Sequence, residues 1–143
     1  MGIIALVLAL AGAPANTAFQ CAPISGHAGW TEWDTTPIVV TLTPEMCSDL
    51  NDVHAGELTS DPSTDANMAQ GLLIALHEAS HAAGWRDETD TECRALTLVG
   101  LAVWGLGLSP QVIADAWTWD RTWGSQYHQR PCQAADSGRL GAS

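Results

Sequence analysis

Residues 68–84 read MAQGLLIALHEASHAAG, and how this stretch folds decides how the rest of the chain is arranged. Leu72, Leu76, Ala79 and Ala83 recur at helical spacing and form one apolar stripe. Upstream, Asp61-Pro62 reads as a cap followed by proline at the first helical position, with Asn67 as the cap of a shorter version. Gly84 supplies the C-terminal stop. On such a helix His77 and His81, four apart, project from one face, one turn above the other. Two imidazoles so placed can grip one metal ion, most naturally zinc. Glu78 lies about 100° around the helix, close enough to act as base to a water at that metal. Ala79 and Ser80 are small and uncharged, as the space beside a buried metal demands. The alternative is an ordinary core helix whose two histidines are satisfied by hydrogen bonds.

His77-Glu78-Ala79-Ser80-His81 resembles the H-E-x-x-H arrangement of zinc metallopeptidases, the zincins. That resemblance implies His77 and His81 as metal ligands and Glu78 as general base. Catalytic zinc normally takes three protein ligands plus water, so a third donor is needed. Asp87 completes H-E-x-x-H-x-x-G-x-x-D, which is similar to the snapalysin family of metzincins. Glu92, in Glu-Cys-Arg-Ala, is similar to the glutamate of the E-x-x-A helix in small gluzincins. If a second helix starts near Asp87 or Glu88 and runs back antiparallel, Glu92 rises about 6–7 Å along it. That level falls between His81 and His77. Metzincins also carry a methionine turn beneath the metal, whereas the last methionine here is Met68, upstream of the motif. Glu92 is therefore the expected third ligand and Asp87 the alternate. Both acids also fit helix capping, Thr89-x-x-Glu92 as a capping box and Asp87 as a cap.

The N-terminal MGIIALVLALAGAPANTA has the length and small-residue end of a signal peptide, so residues 1–18 are expected to be a leader and 19–143 one domain. The stretch is too short to span a bilayer as a stable helix. What remains, about 120–125 residues, is enough for a single core. Cys21, Cys47, Cys93 and Cys132 suit an oxidising compartment, and four cysteines allow three pairings. The expected pairs are Cys21–Cys47 and Cys93–Cys132. The formal charge is −11, and no lysine occurs. Such a surface repels phosphate backbones and anionic membranes, which argues against nucleic-acid or lipid binding.

Ile38–Leu42 is the best strand in the chain. In zincins an edge strand lies above the metal helix and pairs with extended substrate, and this run precedes the helix as that plan requires. Residues 50–65 read as loop, or as a short helix followed by loop. The apolar run 95–108 reads as a buried core helix, and Ser109-Pro110 opens another through about Arg121. Trp117 and Trp119 are two apart, so one is expected to pack inward and the other to cover a surface or line the cleft. Tyr127, with His128 beside it, is a candidate oxyanion donor, as tyrosine or histidine is in several zincin families. His27 and His54 read as solvated loop residues.

The expected architecture is α+β and mainly α, a small zincin-like domain. A short sheet precedes the metal helix, and an antiparallel helix follows it. The expected function is a secreted, monomeric zinc metallopeptidase acting on peptides through Glu78. The rivals are a secreted binding protein with structural zinc, closed by both Asp87 and Glu92, and an inactive scaffold that binds peptide along Ile38–Leu42.

Overall fold

The computed structural model describes residues 2–54, 62–123 and 132. The elements run α1 (Ile3–Ala11), β1 (Ala18–Cys21), β2 (Gly29–Glu32), β3 (Val39–Leu42), α2 (Pro44–His54), α3 (Pro62–Ala82), α4 (Glu88–Leu106) and α5 (Gln111–Thr122). The fold is α+β and mainly helical, with a three-stranded sheet ahead of the long helix α3.

The sequence stripe expected on α3 understates its burial. Every residue from Gly71 to Ala82 is buried, because α1, α2, α4, α5 and the sheet all pack against this one helix. A helix surrounded on all sides must be largely apolar, and Leu72, Leu73 and Leu76 are completely hidden. Truncating one of them to alanine costs about 2–5 kcal/mol. Burial on this scale is what makes the polar residues His77, Glu78 and His81 conspicuous, since each needs partners once removed from water.

Gly84 ends the helical segment as expected, at φ 111°, a left-handed conformation that glycine adopts without a Cβ penalty. The Gly84 amide donates to the His81 carbonyl at 3.0 Å and the Trp85 amide to the Ser80 carbonyl at 3.1 Å. This closure turns the chain sharply and allows α4 to begin only seven residues after His81. The segment carrying Glu92 and the apolar run as far as Leu106 form one continuous helix, α4. Leu101 and Trp104 stand exposed on it, so the run is not uniformly core. Among the described residues, no helix is long and apolar enough to cross a membrane.

In the sheet, the order is β1-β3-β2. Strand β3 pairs parallel with β1, Phe19 opposite Val40, and antiparallel with β2, Thr31 opposite Val40. The strand read as a substrate-pairing edge is therefore the central one, with both of its edges occupied. Its apolar sequence reflects that enclosed position. The edge nearest the metal motif belongs to β2, and β2 packs directly on α3.

Both expected disulfides are present. Cys21–Cys47 ties β1 to α2, and Cys93–Cys132 anchors a C-terminal residue to α4. Such bonds suit an oxidising, extracellular environment. The stretch read as a leader forms α1, with Ile3, Val7 and Ala11 buried against the helical core. Arg94 of α4 donates to the Ala11 carbonyl at 3.1 Å. Trp117 and Trp119 of α5 are both partly buried against the core.

Candidate metal centre

The last turns of α3 bring the two imidazoles together as the four-residue spacing requires. Their Nε2 atoms stand 3.1 Å apart, and the rings meet edge to face with centroids separated by 4.7 Å. Each ring is fixed through its other nitrogen. His81 Nδ1 donates to the Trp85 carbonyl at 2.7 Å, an acceptor delivered by the Gly84 turn. His77 Nδ1 faces the buried Glu92 carboxylate at 3.3 Å. Holding Nδ1 in this way keeps the two Nε2 atoms side by side, where loss of their protons would present two lone pairs to one ion.

The first residue of α4 reaches the same point. The Glu88 carboxylate lies 3.1 Å from His77 Nε2 through one oxygen and 3.1 Å from His81 Nε2 through the other. Its side chain is about half exposed, so it approaches from the solvent side of the pair. Glu92, one turn further along α4, arrives at the expected level but behind His77, on the Nδ1 side. Asp87 does not reach the histidines through any contact in the structure. It is the N-cap of α4, its carboxylate accepting from the Asp90 amide at 2.8 Å. Capping, the alternative role weighed for it, is the one it fills.

Glu78 completes the group. Ligand-capable atoms of His77, Glu78 and His81 all lie within 4.8 Å of one another, and all three residues are buried. The Thr31 hydroxyl of β2 donates to Glu78 Oε2 at 2.6 Å and also lies 2.9 Å from the Glu78 carbonyl. The chain matches no protein family, no curated protein and no solved structure. The site's meaning therefore rests on its own geometry and chemistry.

That geometry fits a metal ion. Zinc bound tetrahedrally, with bonds of about 2.0–2.1 Å to nitrogen, holds two such nitrogens roughly 3.3–3.4 Å apart. The observed 3.1 Å between the Nε2 atoms is within a small side-chain adjustment of that spacing. Charge arrangement points the same way. Burial alone would lower the His77 pKa, but hydrogen bonds to Glu88 and Glu92 and the nearby carboxylate charges outweigh it and raise it to about 10. Hydrogen bonds from His77 and His81 hold Glu88 well below the usual carboxylate range, against the opposing effect of burial. A cation at the convergence point can replace the proton that these acids now share with His77.

The site opens into a cavity of about 440 Å³, lined by His77, Glu78, His81 and Glu88 on one side and β2 on the other. Trp33, just past β2, packs its ring 5.4 Å from that of His81, with the Arg86 guanidinium 4.4 Å over its indole. His27, a solvent-exposed loop residue as expected, also lines the cavity and packs against Trp30, centroids 5.0 Å apart. Sequence reasoning missed Glu88, Thr31, Gly29 and the two tryptophans. Only Glu88 had a usable signal: once Asp87 caps α4, Glu88 and Glu92 are four apart and share a helical face. Tyr127 and His128 lie outside the described residues.

Proposed function

We propose that this chain is a secreted zinc-dependent peptidase. The observation that carries the reading is the convergence of two Nε2 atoms 3.1 Å apart with a carboxylate 3.1 Å from each. In this reading His77, His81 and Glu88 hold the metal. Glu92 and the Trp85 carbonyl fix the two imidazoles from behind, the outer-shell role that sets ring orientation and tautomer. Zinc, when bound, polarises a carbonyl and lowers the pKa of water towards about 7.

The chain's own residues account for the other requirements. Glu78 stands beside the ligand cluster, where it takes the proton of the attacking water and later passes it to the leaving amine. Strand β2 lines the same cavity, and its outer edge, unpaired among the described residues, offers backbone groups to an extended peptide. This role was expected of Ile38–Leu42, which is enclosed instead.

An open cavity beside the donors favours catalysis over a structural metal site, since structural zinc is normally closed by four protein ligands. Glu78→Gln provides the test. The purified variant is expected to bind zinc like the parent and to lose peptide hydrolysis by roughly 10²-fold or more. Full activity in Glu78→Gln would remove Glu78 from the mechanism. Absence of zinc from both proteins would remove the metal reading altogether.

A further inference from the structure

A buried carboxylate at the end of a flexible side chain does not hold one orientation unaided, and a general base must be held to within a fraction of an ångström. Glu78 lies on a helix whose two histidines are committed elsewhere: His77 to Glu88 and Glu92, and His81 to Trp85 and Glu88. Its orientation comes from β2. Gly29 and Thr31, two apart on a strand, face the same side. The Thr31 hydroxyl, buried against α3, lies 2.6 Å from Glu78 Oε2. A hydroxyl has one proton, and the shorter contact to the charged carboxylate takes it in preference to the Glu78 carbonyl at 2.9 Å.

Gly29 supplies the second contact. A Cβ at this position would come within 2.7 Å of Glu78 Cγ and 3.1 Å of side-chain atoms of both Ile74 and Leu42. The strand backbone thus rests on the Glu78 side chain, with no space between them for even a methyl group. Gly29 limits where Cγ can go, and Thr31 fixes Oε2. The other carboxylate oxygen is left to accept a proton from water.

We propose that Thr31 is a positioning residue for Glu78, so that β2 sets the orientation of the general base while its outer edge, unpaired among the described residues, meets substrate. The catalytic half of this inference rests on the peptidase reading; the placement of the carboxylate does not. A peptide paired along β2 would then be registered by the same rigid element that aims the base at its scissile carbonyl.

Thr31→Val removes the hydroxyl at nearly constant shape, and Thr31→Ser keeps it. Both are to be made in the full chain and loaded with zinc, alongside Gly29→Ala as a second way to disturb Glu78. Zinc content, thermal unfolding, crystal structures and steady-state hydrolysis of a mixed peptide set are then compared. Thr31→Val is expected to retain zinc and fold, to show the Glu78 carboxylate displaced, and to lose about 10- to 100-fold in kcat with KM little changed. Thr31→Ser should restore the carboxylate position and most of kcat, and Gly29→Ala should displace Glu78 without loss of zinc. An unmoved carboxylate with undiminished kcat in Thr31→Val would overturn the proposal, as would a serine variant as impaired as the valine one. If the parent cleaves no peptide but Glu78 moves in Thr31→Val and not in Thr31→Ser, the placement stands and the peptidase reading falls.

Discussion

Two acidic clusters flank α3, and they are built to opposite rules. At its C-terminal end Glu88 and Glu92 meet His77, so each carboxylate has a partner that can carry positive charge. Towards its N-terminal half, Asp49 of α2 packs against Gly71, whose added Cβ would come within 2.7 Å of the Asp49 Cβ. The charges next to it are Glu45 and Asp52. Burial, with repulsion from those two, raises the Asp49 pKa to about 6. Glu88 is driven the other way. Charge burial in the first cluster is compensated and can be transferred to a cation. In the second it simply opposes folding.

The difference can be broken most severely at the metal end. Glu88→Ala removes a proposed ligand and is expected to weaken zinc binding by about 10²-fold or more, whereas Glu92→Ala removes an orienting partner and should cost about 10- to 100-fold. Asp87→Ala should leave zinc affinity nearly unchanged and lower stability by about 1 kcal/mol through the lost cap. Competition with a chromophoric chelator gives all three affinities. Equal losses in Glu88→Ala and Glu92→Ala would blur the distinction between ligand and support.

Proton competition gives a smaller, graded effect. The His77 pKa is raised from 6.5 to about 10, so the metal-free protein holds that proton at neutral pH and must release it to bind metal. Zinc affinity is therefore expected to rise with pH from 6.5 to 9, by up to about tenfold per unit. Calorimetry in two buffers of different ionisation enthalpy should show proton release. Heats independent of buffer would contradict the shared-proton arrangement.

The smallest effect lies at α2. The folded-state pKa of Asp49 is raised above 3.8, so folding favours its protonated form and stability is lost as pH rises through about 6. Asp49→Asn should leave stability unchanged near pH 3.5 and increase it at pH 8, by roughly 1 kcal/mol after solvent screening, or a few degrees in Tm. Melting curves at the two pH values check the sign. A gain at low pH alone would reverse the assignment.

Much of the frame was legible in the sequence because its signals are local. Proline at residue 62 and glycine at 84 bracket α3, and the four cysteines pair as expected. Periodicity could not show that α3 is enclosed on every side, since that depends on where α1, α4 and α5 land. Glu88, which we propose as the third donor, was harder to find for a geometric reason. Glu88 and Glu92 share a face of α4, and axial rise alone selects Glu92. Which imidazole nitrogen each acid meets depends on helix crossing, which no spacing rule contains. Gly29-Trp30-Thr31-Glu32 is short, opens on a glycine and lies in a turn-rich stretch, so the edge strand was passed over in favour of the more apolar central one.

Zinc-edge X-ray absorption combined with a crystal structure of the metal-loaded chain tests the central claim most directly. The account predicts a single zinc held by Nε2 of His77 and His81 at about 2.0–2.1 Å and by a Glu88 oxygen at about 2.0–2.2 Å, with a fourth position open to the cavity. Ligation by Glu92 or Asp87 in place of Glu88, a closed shell of four protein ligands, or zinc bound away from the two histidines would contradict it.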